Sequence, residues 1–461
     1  MFHLKERNTT VRTEFTAGLT TFMAMAYVLM VNARMFTEIN GSPVTYGAMY
    51  VATALSAIAG TVLIGLVAGL PLAQAPGMGM NAFFVYTICN LMGFSYENAL
   101  VIVLFEGLLF ILITVTGLRK KIFEEIPGAV KGAITGGIGL FIAFLGLQNA
   151  KIVVGSESTL VDLHSFNIVF GTTSWKEVMP IIITVIALVL IGVLTVKKVK
   201  GAVFWGIIAS TVLYYILGFA TIRGFKVDFS FTIIQPFKDF FSQCFINVFT
   251  EGFDFSAFIE KHGMADFIVI IITCSLSMCL LDIFNTLGTL YGACSVGSLV
   301  DDKGEILNME KAMLSDAMGT SVGAIFGTSS VTTYLEAATG IAEGGRTGLS
   351  SLFTALFFAI AMFFEPVAAL VPSCATSAAL IFVGILMMDS VKNIKWNDME
   401  EAIPAFFTLA FMPFVYNIAY GIAFGLITYI LMKLLLGKFK EIKVGTWIIG
   451  IMFLAMFFVT R

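Results

Sequence analysis

The chain has 461 residues, of which 58% are hydrophobic and only 12% charged, with a mean hydropathy of +0.94. Soluble globular domains carry about 25% charged residues, so this composition excludes a water-soluble body and predicts a polytopic membrane protein. The net charge of -3 and the lack of a basic arm give no sign of a nucleic-acid partner, and the six scattered cysteines predict neither a disulfide framework nor a metal site.

Apolar runs of about 20 residues, the length that crosses a bilayer, recur along the whole chain. The first half contains seven, at 16–33, 46–69, 71–90, 99–117, 126–147, 178–196 and 201–219. A phenylalanine-rich stretch at 220–265 follows. We expect it to lie as amphipathic pieces on the outer interface, with a lid role as the alternative.

Seven further segments complete the second half, at 266–295, 311–326, 328–343, 347–371, 373–390, 402–417 and 419–436. A last apolar run at 447–459 is short for a span, so it is expected either to cross as a thin helix or to lie in the interface. The sequence thus predicts an all-α polytopic membrane protein with about fourteen transmembrane segments.

Basic residues give the orientation of these segments. Clusters such as Arg119–Lys121, Lys197–Lys200 and Lys438–Lys443 alternate with connections that hold only isolated cations, such as Arg34 and Lys151. Because short cytoplasmic loops are enriched in Lys and Arg, the N-terminus is predicted to be cytoplasmic and the protein to lie in the cell membrane.

A weak internal repeat relates the two halves. Ile126 and Pro127 open the fifth segment, and Val371 and Pro372 open the twelfth in the same way. An odd number of spans in each half inverts the second copy. The pattern therefore predicts a 7+7 inverted repeat, as in many secondary transporters.

The third segment, PLAQAPGMGMNAFF from Pro71, is interrupted. Proline and glycine disfavour a continuous helix, so we expect a short strand at 73–80 and a half-helix that begins near Asn81, a good N-cap residue. A helix N-terminus attracts electronegative groups, which makes Asn81 a candidate substrate ligand. A kinked helix with Asn81 bonded to nearby backbone is the alternative.

The tenth segment, TSSVTTYLEAATG from Thr328, is interrupted in a corresponding place. Its β-branched residues favour a strand over 328–334, in which Thr333 is a candidate substrate contact. Glu336 is then expected in the first turn of a half-helix. A carboxylate at membrane depth is costly and usually functional, although a structural cap or an ion pair is the alternative. If the two strands meet, Asn81 and Glu336 approach one cavity.

Polar residues also mark the eighth segment, where Asp282 and Asn285 are three residues apart and share a helix face. We interpret them as the wall of a cavity, with a plain helix-to-helix hydrogen bond as the alternative. Glu106 in the fourth segment is interpreted as structural. The chain has no phosphate-binding loop and no catalytic constellation, so we expect neither ATP nor another cofactor, no metal and no enzyme activity.

The runs TFMAMAYVLMVN, APGMGMNAFF, DIFNTLGTL and TSSVTTYLEAATGIAEGGRTGL resemble the AzgA-like branch of the nucleobase:cation symporter-2 family. The resemblance implies a core domain at 1–125 and 266–371 that moves past a gate domain at 126–219 and 372–461, in an elevator-like motion. Residues 220–265 form the extracytoplasmic loop. The resemblance also implies import of purine bases (guanine, hypoxanthine or adenine) together with H⁺, less readily with Na⁺. It further implies a homodimer.

The matching motifs indicate which residues of this chain correspond to the family's binding site. Gly79 and Asn81 match its third-segment binding residues, and Glu336 matches its purine-binding acid. The family pattern D-x-F-D-T has its first acid here as Asp282. Asn285 stands at the position of the second acid, and its amide cannot take a proton. The resemblance therefore implies that Glu336 or Asp282 holds the coupling proton.

Three other readings stay open from the sequence alone. One is an anion transporter of the related sulfate-transporter fold, against which the acid at position 336 argues. A uracil or xanthine permease is the second. The third is a membrane-embedded enzyme or receptor, which no nucleophile–base pair supports.

Overall fold

A computed structural model describes residues 2, 4–41, 44–117, 125–168, 171–227, 232–296, 299 and 306–459. The chain is almost entirely helical. The inner-loop cations Arg119–Lys121, on which part of the orientation depends, lie outside the described residues.

Within the described ranges, the first half of the chain contains helices and short strands. In chain order these are α1 Val11–Met25, α2 Tyr27–Phe36, α3 Tyr46–Leu63 with a π-helical end Ile64–Ala68, β1 Gln74–Pro76, α4 Met78–Ala82 with a π-helical continuation Phe83–Leu91, α5 Tyr96–Val115, α6 Gly128–Asn149, β2 Val153–Ser156, β3 Leu160–Leu163, α7 Trp175–Val196 and α8 Ala202–Thr221.

Three short helices then lead into the second half. The order is α9 Ile234–Gln243, α10 Asn247–Thr250, α11 Ser256–His262, α12 Met264–Val296, α13 Met309–Phe326, β4 Val331–Thr333, α14 Ala337–Ala342, α15 Gly348–Ala361, α16 Glu365–Ala368, α17 Ser373–Met387, α18 Met399–Phe414, α19 Ile418–Leu435 and α20 Val444–Val459. Short 3₁₀ turns at Met362–Phe364, Met388–Asn393 and Phe439–Glu441 join some of them.

The helices confirm a polytopic membrane protein, because ten of those in the described residues are long and apolar enough to cross a bilayer. Each of the fourteen predicted segments coincides with a helix, with consecutive helices or with a strand followed by a helix. The count of fourteen crossings, the inverted repeat and the division into core and gate domains stay predictions. So does the crossing of the terminal helix Val444–Val459.

Two features of the loops complete the picture. The described part of the range 220–265 contains three short helices, and the first of them buries Phe240 while Phe241 is exposed, as an amphipathic piece should. The hairpin of β2 and β3 was not predicted, although β-branched residues flank its Ser-Glu-Ser-Thr turn. It is largely exposed and lies outside the apolar helices.

The two interrupted segments meet in a two-stranded antiparallel sheet. Gln74 pairs with Thr333 and Pro76 with Val331, and all six strand residues are buried. Gly327, at φ +87°, ends α13 in the left-handed conformation that favours glycine, so the chain leaves that helix and enters β4. Both strands are only three residues long, shorter than the predicted 73–80 and 328–334. Their pairing confirms that the two breaks come together.

Helix packing surrounds this sheet on several sides. Helices α3 and α13 pack against each other and against the strands, while α12 packs against both β4 and α14. Helix α6 packs mainly against α17 and α18, and touches α4 at the edge of the sheet region. The strand pair therefore lies inside the helical body, where its backbone is shielded from lipid as such breaks require.

Candidate functional site

Glu336 lies at the point where the second broken segment turns back into helix. It occupies the N-cap position of α14, three residues after β4, and is partly exposed. Its Oε1 accepts a hydrogen bond from the hydroxyl of Tyr27 at 2.8 Å. Tyr27 itself is fully buried at the start of α2, just after the kink at Ala26. The expectation of an acid at the beginning of a half-helix is thus met, but no sequence pattern indicated its tyrosine partner.

Asn81 takes a different position from the one expected. Helix α4 begins at Met78 with Gly77 as its N-cap, so Asn81 lies one turn inside the helix and is not its cap. The reason is that Gly77 already supplies the extended backbone that an N-cap needs. Asn81 is fully buried, and its Oδ1 accepts a hydrogen bond from Ser329 Oγ. In this conformation the side chain of Asn81 links the two broken segments through its hydrogen bond with Ser329.

Gly79 marks a close approach between α4 and α6. A Cβ added at this glycine would lie 2.6 Å from Cγ2 of Ile138, so even a methyl group does not fit without movement. Gly79 is partly exposed beside this contact. Its predicted contact with the substrate stays a prediction. Its structural place is the seam between the half-helix and a helix of the predicted gate.

Asn285 and Asp282 share one face of α12, as their spacing predicts. Asn285 is partly exposed, and its Nδ2 donates to Thr332 Oγ1 at 3.2 Å. Asp282 is fully buried one turn away, where its Oδ2 accepts from Thr320 Oγ1 at 3.1 Å. The two side chains therefore have different surroundings: Asn285 stands at the edge of the polar region and Asp282 inside it.

Thr333 belongs to the same buried region. Its hydroxyl donates to Oδ1 of Asp316 at 2.8 Å, and that carboxylate oxygen also accepts from Gln74 Nε2 at 3.0 Å. The hydroxyl of Thr286 donates to the other oxygen of Asp316 at 2.6 Å. Asp316 was missed by the sequence reasoning. An acid four residues before Thr320 in the apolar helix Met309–Phe326 is the signal that could have found it.

Glu106 adds a third buried carboxylate. Its Oε2 accepts a hydrogen bond from Ser330, and its Oε1 is buried without a partner. Within the described part of the chain, no salt bridge involves Glu106, Asp282 or Asp316. Like charges repel strongly in a medium of low dielectric constant. A proton or another cation on this cluster would therefore stabilise it.

The arrangement can perform two chemical tasks. Glu336, held by Tyr27 at a partly exposed position, can accept hydrogen bonds from N–H groups of a ligand. Each of the three buried carboxylates can bind a proton, and the hydroxyls of Thr333 and Ser330 join Asp316 and Glu106 to the second broken segment. Among the described residues no group of three or more His, Cys, Asp or Glu has the geometry to hold a metal ion.

Comparison with known proteins places the whole chain among permeases. Residues 12–443 match the xanthine/uracil permease model, described as the Permease family. The chain is 37% identical to the guanine/hypoxanthine permease PbuO of Bacillus subtilis, over 100% of both chains. It is 33% identical to the adenine permease AdeQ of Escherichia coli, over 98% of this chain and 94% of that one.

A solved structure shares the fold at low sequence identity. The transmembrane domain of the bicarbonate transporter BicA from a cyanobacterium superposes with a TM-score of 0.63 and 16% identity, over 89% of this chain and 97% of that one. At this identity the likeness concerns the fold alone.

Proposed function

Because the chain belongs to the Permease family whose model it matches, it is a transporter and not an enzyme, and we propose that it imports purine nucleobases by symport with a cation. Guanine and hypoxanthine are the first candidates and adenine the next, since the relatives at 37% and 33% identity are permeases for these bases. The proposed cation is H⁺, with Na⁺ as the less favoured choice.

The observation that carries this proposal is the Tyr27–Glu336 pair at the end of the strand pair. A purine base is flat, mostly uncharged and edged with N–H groups and acceptor atoms. The carboxylate of Glu336 accepts from such N–H groups, while Asn285 offers both a donor and an acceptor at the edge of the same polar region. Gly79, the other third-segment residue in the proposed site, belongs to the same half-helix as Asn81.

Coupling to a proton is supported by the buried acids. Asp282, Asp316 and Glu106 lie behind the strands, and hydroxyl groups of Thr286 and Thr333 connect the acids to the strand residues. We propose that this network holds the coupling proton, and that Glu336 senses its presence through the strand pair. Asn285 cannot take part because an amide does not ionise.

Transport also needs a moving boundary, which we place at the Gly79–Ile138 contact. A helix slides more easily past its neighbour where no side chain interlocks. Gly79 has none, and a Cβ added there would lie 2.6 Å from Cγ2 of Ile138. The proposed motion is elevator-like, with the core domain moving against the gate. The cell membrane, a cytoplasmic N-terminus and a homodimer are proposed with it, from the charge pattern and the family.

The experiment is uptake of a panel of radiolabelled bases by cells that lack their own purine permeases. The panel contains guanine, hypoxanthine, adenine, xanthine and uracil, at several pH values, with and without a protonophore. We expect accumulation of one or more purines that falls when the protonophore removes the gradient. Glu336→Gln should abolish accumulation, whereas Glu157→Gln, on the exposed hairpin, should leave it unchanged.

Each part of the proposal can fail separately. Preferred uptake of uracil or xanthine would correct the substrate, and uptake insensitive to the protonophore but dependent on Na⁺ would correct the cation. Inhibition by sulfate or bicarbonate, with no purine uptake, would favour the anion transporter that the fold alone allows. Full accumulation by Glu336→Gln at normal surface expression would refute the role of this acid.

A further inference from the structure

A cavity of about 350 Å³ lies away from Glu336, between three helices. Arg34 and Glu38 border it at the end of α2, Gln148 and Asn149 at the end of α6, and Ser377 in the first turns of α17. Its volume falls within the range of about 300–1,000 Å³ that small-molecule sites usually have. It spans the seam between the ranges predicted as core and gate.

Several polar groups in this cavity have unused hydrogen-bonding capacity. Ser377 is only 1% exposed, yet its hydroxyl has no partner. Nε of Arg34 is likewise buried without a partner, although Nη2 donates to the carbonyl oxygen of Val371 at 3.0 Å. The side-chain amide of Gln148 makes no hydrogen bond with any described residue. Buried polar groups without partners destabilise a fold, so this grouping indicates a ligand.

The cavity also separates two opposite charges. Arg34 and Glu38 are four residues apart, but no salt bridge joins these two described residues. Glu38 is instead held by the hydroxyl of Tyr86 at 2.5 Å and by Nδ2 of Asn149 at 3.3 Å. The walls therefore present donors on one side and an acceptor carboxylate on the other.

This pattern fits a neutral, flat heterocycle with adjacent N–H and C=O groups. Glu38 opposes an anion, whereas Arg34 and the exposed Lys151, which also lines the cavity, oppose a cation. A ligand with both kinds of edge can accept from the guanidinium and Ser377 while it donates to the carboxylate. Guanidinium groups also stack on flat rings, and that of Arg34 already lies 5.7 Å from the centroid of the Tyr46 ring.

The position of the cavity relates it to the central site. Tyr27, which holds Glu336, and Arg34 are seven residues apart in α2, a rise of about 10 Å at 1.5 Å per residue. The cavity thus lies about two helical turns of α2 from Tyr27, along the same contact between the predicted core and gate. With a cytoplasmic N-terminus, α1 and α2 cross once, so this end faces outward.

We propose that the cavity is a second, outer binding site for the transported base, occupied before the base reaches Glu336. This inference rests on the proposed function and deepens it. The base would bind between Arg34, Glu38, Gln148 and Ser377 at the mouth of the seam, and would then move inward along α2.

The test compares transport from the two faces of the membrane, because the cavity is inferred to open on the outer face only. Gln148→Leu and Ser377→Ala each remove a polar group that has no protein partner, so both variants should fold and keep the thermal stability of the ligand-free protein. Initial rates of radiolabelled hypoxanthine transport are measured in right-side-out and inside-out membrane vesicles. Asn397→Leu, at an exposed amide outside the cavity that makes no hydrogen bond with a described residue, is the matched control.

We expect each variant to raise the KM for transport from the outer face roughly fivefold to tenfold, as the loss of one hydrogen bond predicts. The KM from the inner face should change less than about twofold, because the base meets the Glu336 site first from that side. A merely structural role would alter both faces equally, and that result would overturn the proposal. So would unchanged KM values on both faces.

The outcome also separates this inference from the proposed function. If the wild-type protein transports no purine in either vesicle, the proposed function fails and the outer site loses its ligand. If the wild type transports purines and the variants show no sided effect, only the outer site is refuted.

Discussion

The hydrogen bond from Tyr27 to Glu336 allows a quantitative test of the site. Tyr27→Phe removes one hydroxyl and keeps the ring, so the fully buried packing of this side chain changes little. The carboxylate of Glu336 then loses its 2.8 Å donor and is free to change rotamer. A ligand that needs this oxygen in one position should bind more weakly.

The size of the effect follows from the surroundings of the bond. A hydrogen bond to a charged group contributes about 1.5–3 kcal/mol net. Because Glu336 is partly exposed, water can replace the lost donor, and we expect the lower end of that range. About 1.5 kcal/mol corresponds to a roughly tenfold weaker affinity. Transport should therefore continue with a KM about ten times higher.

The assay is the initial rate of radiolabelled hypoxanthine uptake into proteoliposomes at several base concentrations. Tyr50→Phe is the matched control, because Tyr50 is also buried and donates to a backbone carbonyl, that of Ala361 at 3.1 Å, away from Glu336. An unchanged KM in Tyr27→Phe, or an equal rise in Tyr50→Phe, would refute the claim that Tyr27 positions the acid.

Three further predictions address the other parts of the site. Asn285→Asp places a carboxylate beside the hydroxyl to which Asn285 now donates, and we expect a changed order of purine affinities in competition assays; an unchanged order would show that this position does not read the base. Asp316→Asn keeps the shape of the buried acid but cannot carry a proton, so gradient-driven accumulation should fall to background while exchange of the base across the membrane persists. Loss of both activities, or of neither, would contradict a coupling role. Gly79→Ala brings a methyl group into contact with Ile138, and a steric penalty of about 1–3 kcal/mol should slow uptake roughly tenfold or more. Ile138→Ala in the same chain should restore the rate, and failure to do so would refute the contact as the moving boundary.

The interrupted segments were predictable because their chemistry is local. Pro76 and Gly77 disfavour a continuous helix, and the run Val331–Thr333 is rich in β-branched residues, so both breaks can be predicted from short stretches of sequence. Glu336 stood out for the same reason, as a lone acid among apolar residues. The exact helix start was not predictable, since it depended on which residue next to Pro76 took the N-cap conformation.

The partners of these residues were not predictable in the same way. Tyr27 reaches Glu336 across 309 residues of sequence, and Gln74 reaches Asp316 across 242. A tyrosine in an apolar helix, or an acid near a helix end, has many ordinary explanations. Only the folded chain shows that they meet.

Composition, the spacing of apolar runs and the two breaks determined by themselves that this chain is a polytopic membrane protein with a polar centre, because lipid permits so few ways to satisfy a backbone. The tertiary structure alone decided which side chains share that centre and where a cavity opens beside Arg34 and Glu38. Hydrogen bonds and cavities form between helices that are distant in sequence, and no local pattern encodes which helices become neighbours.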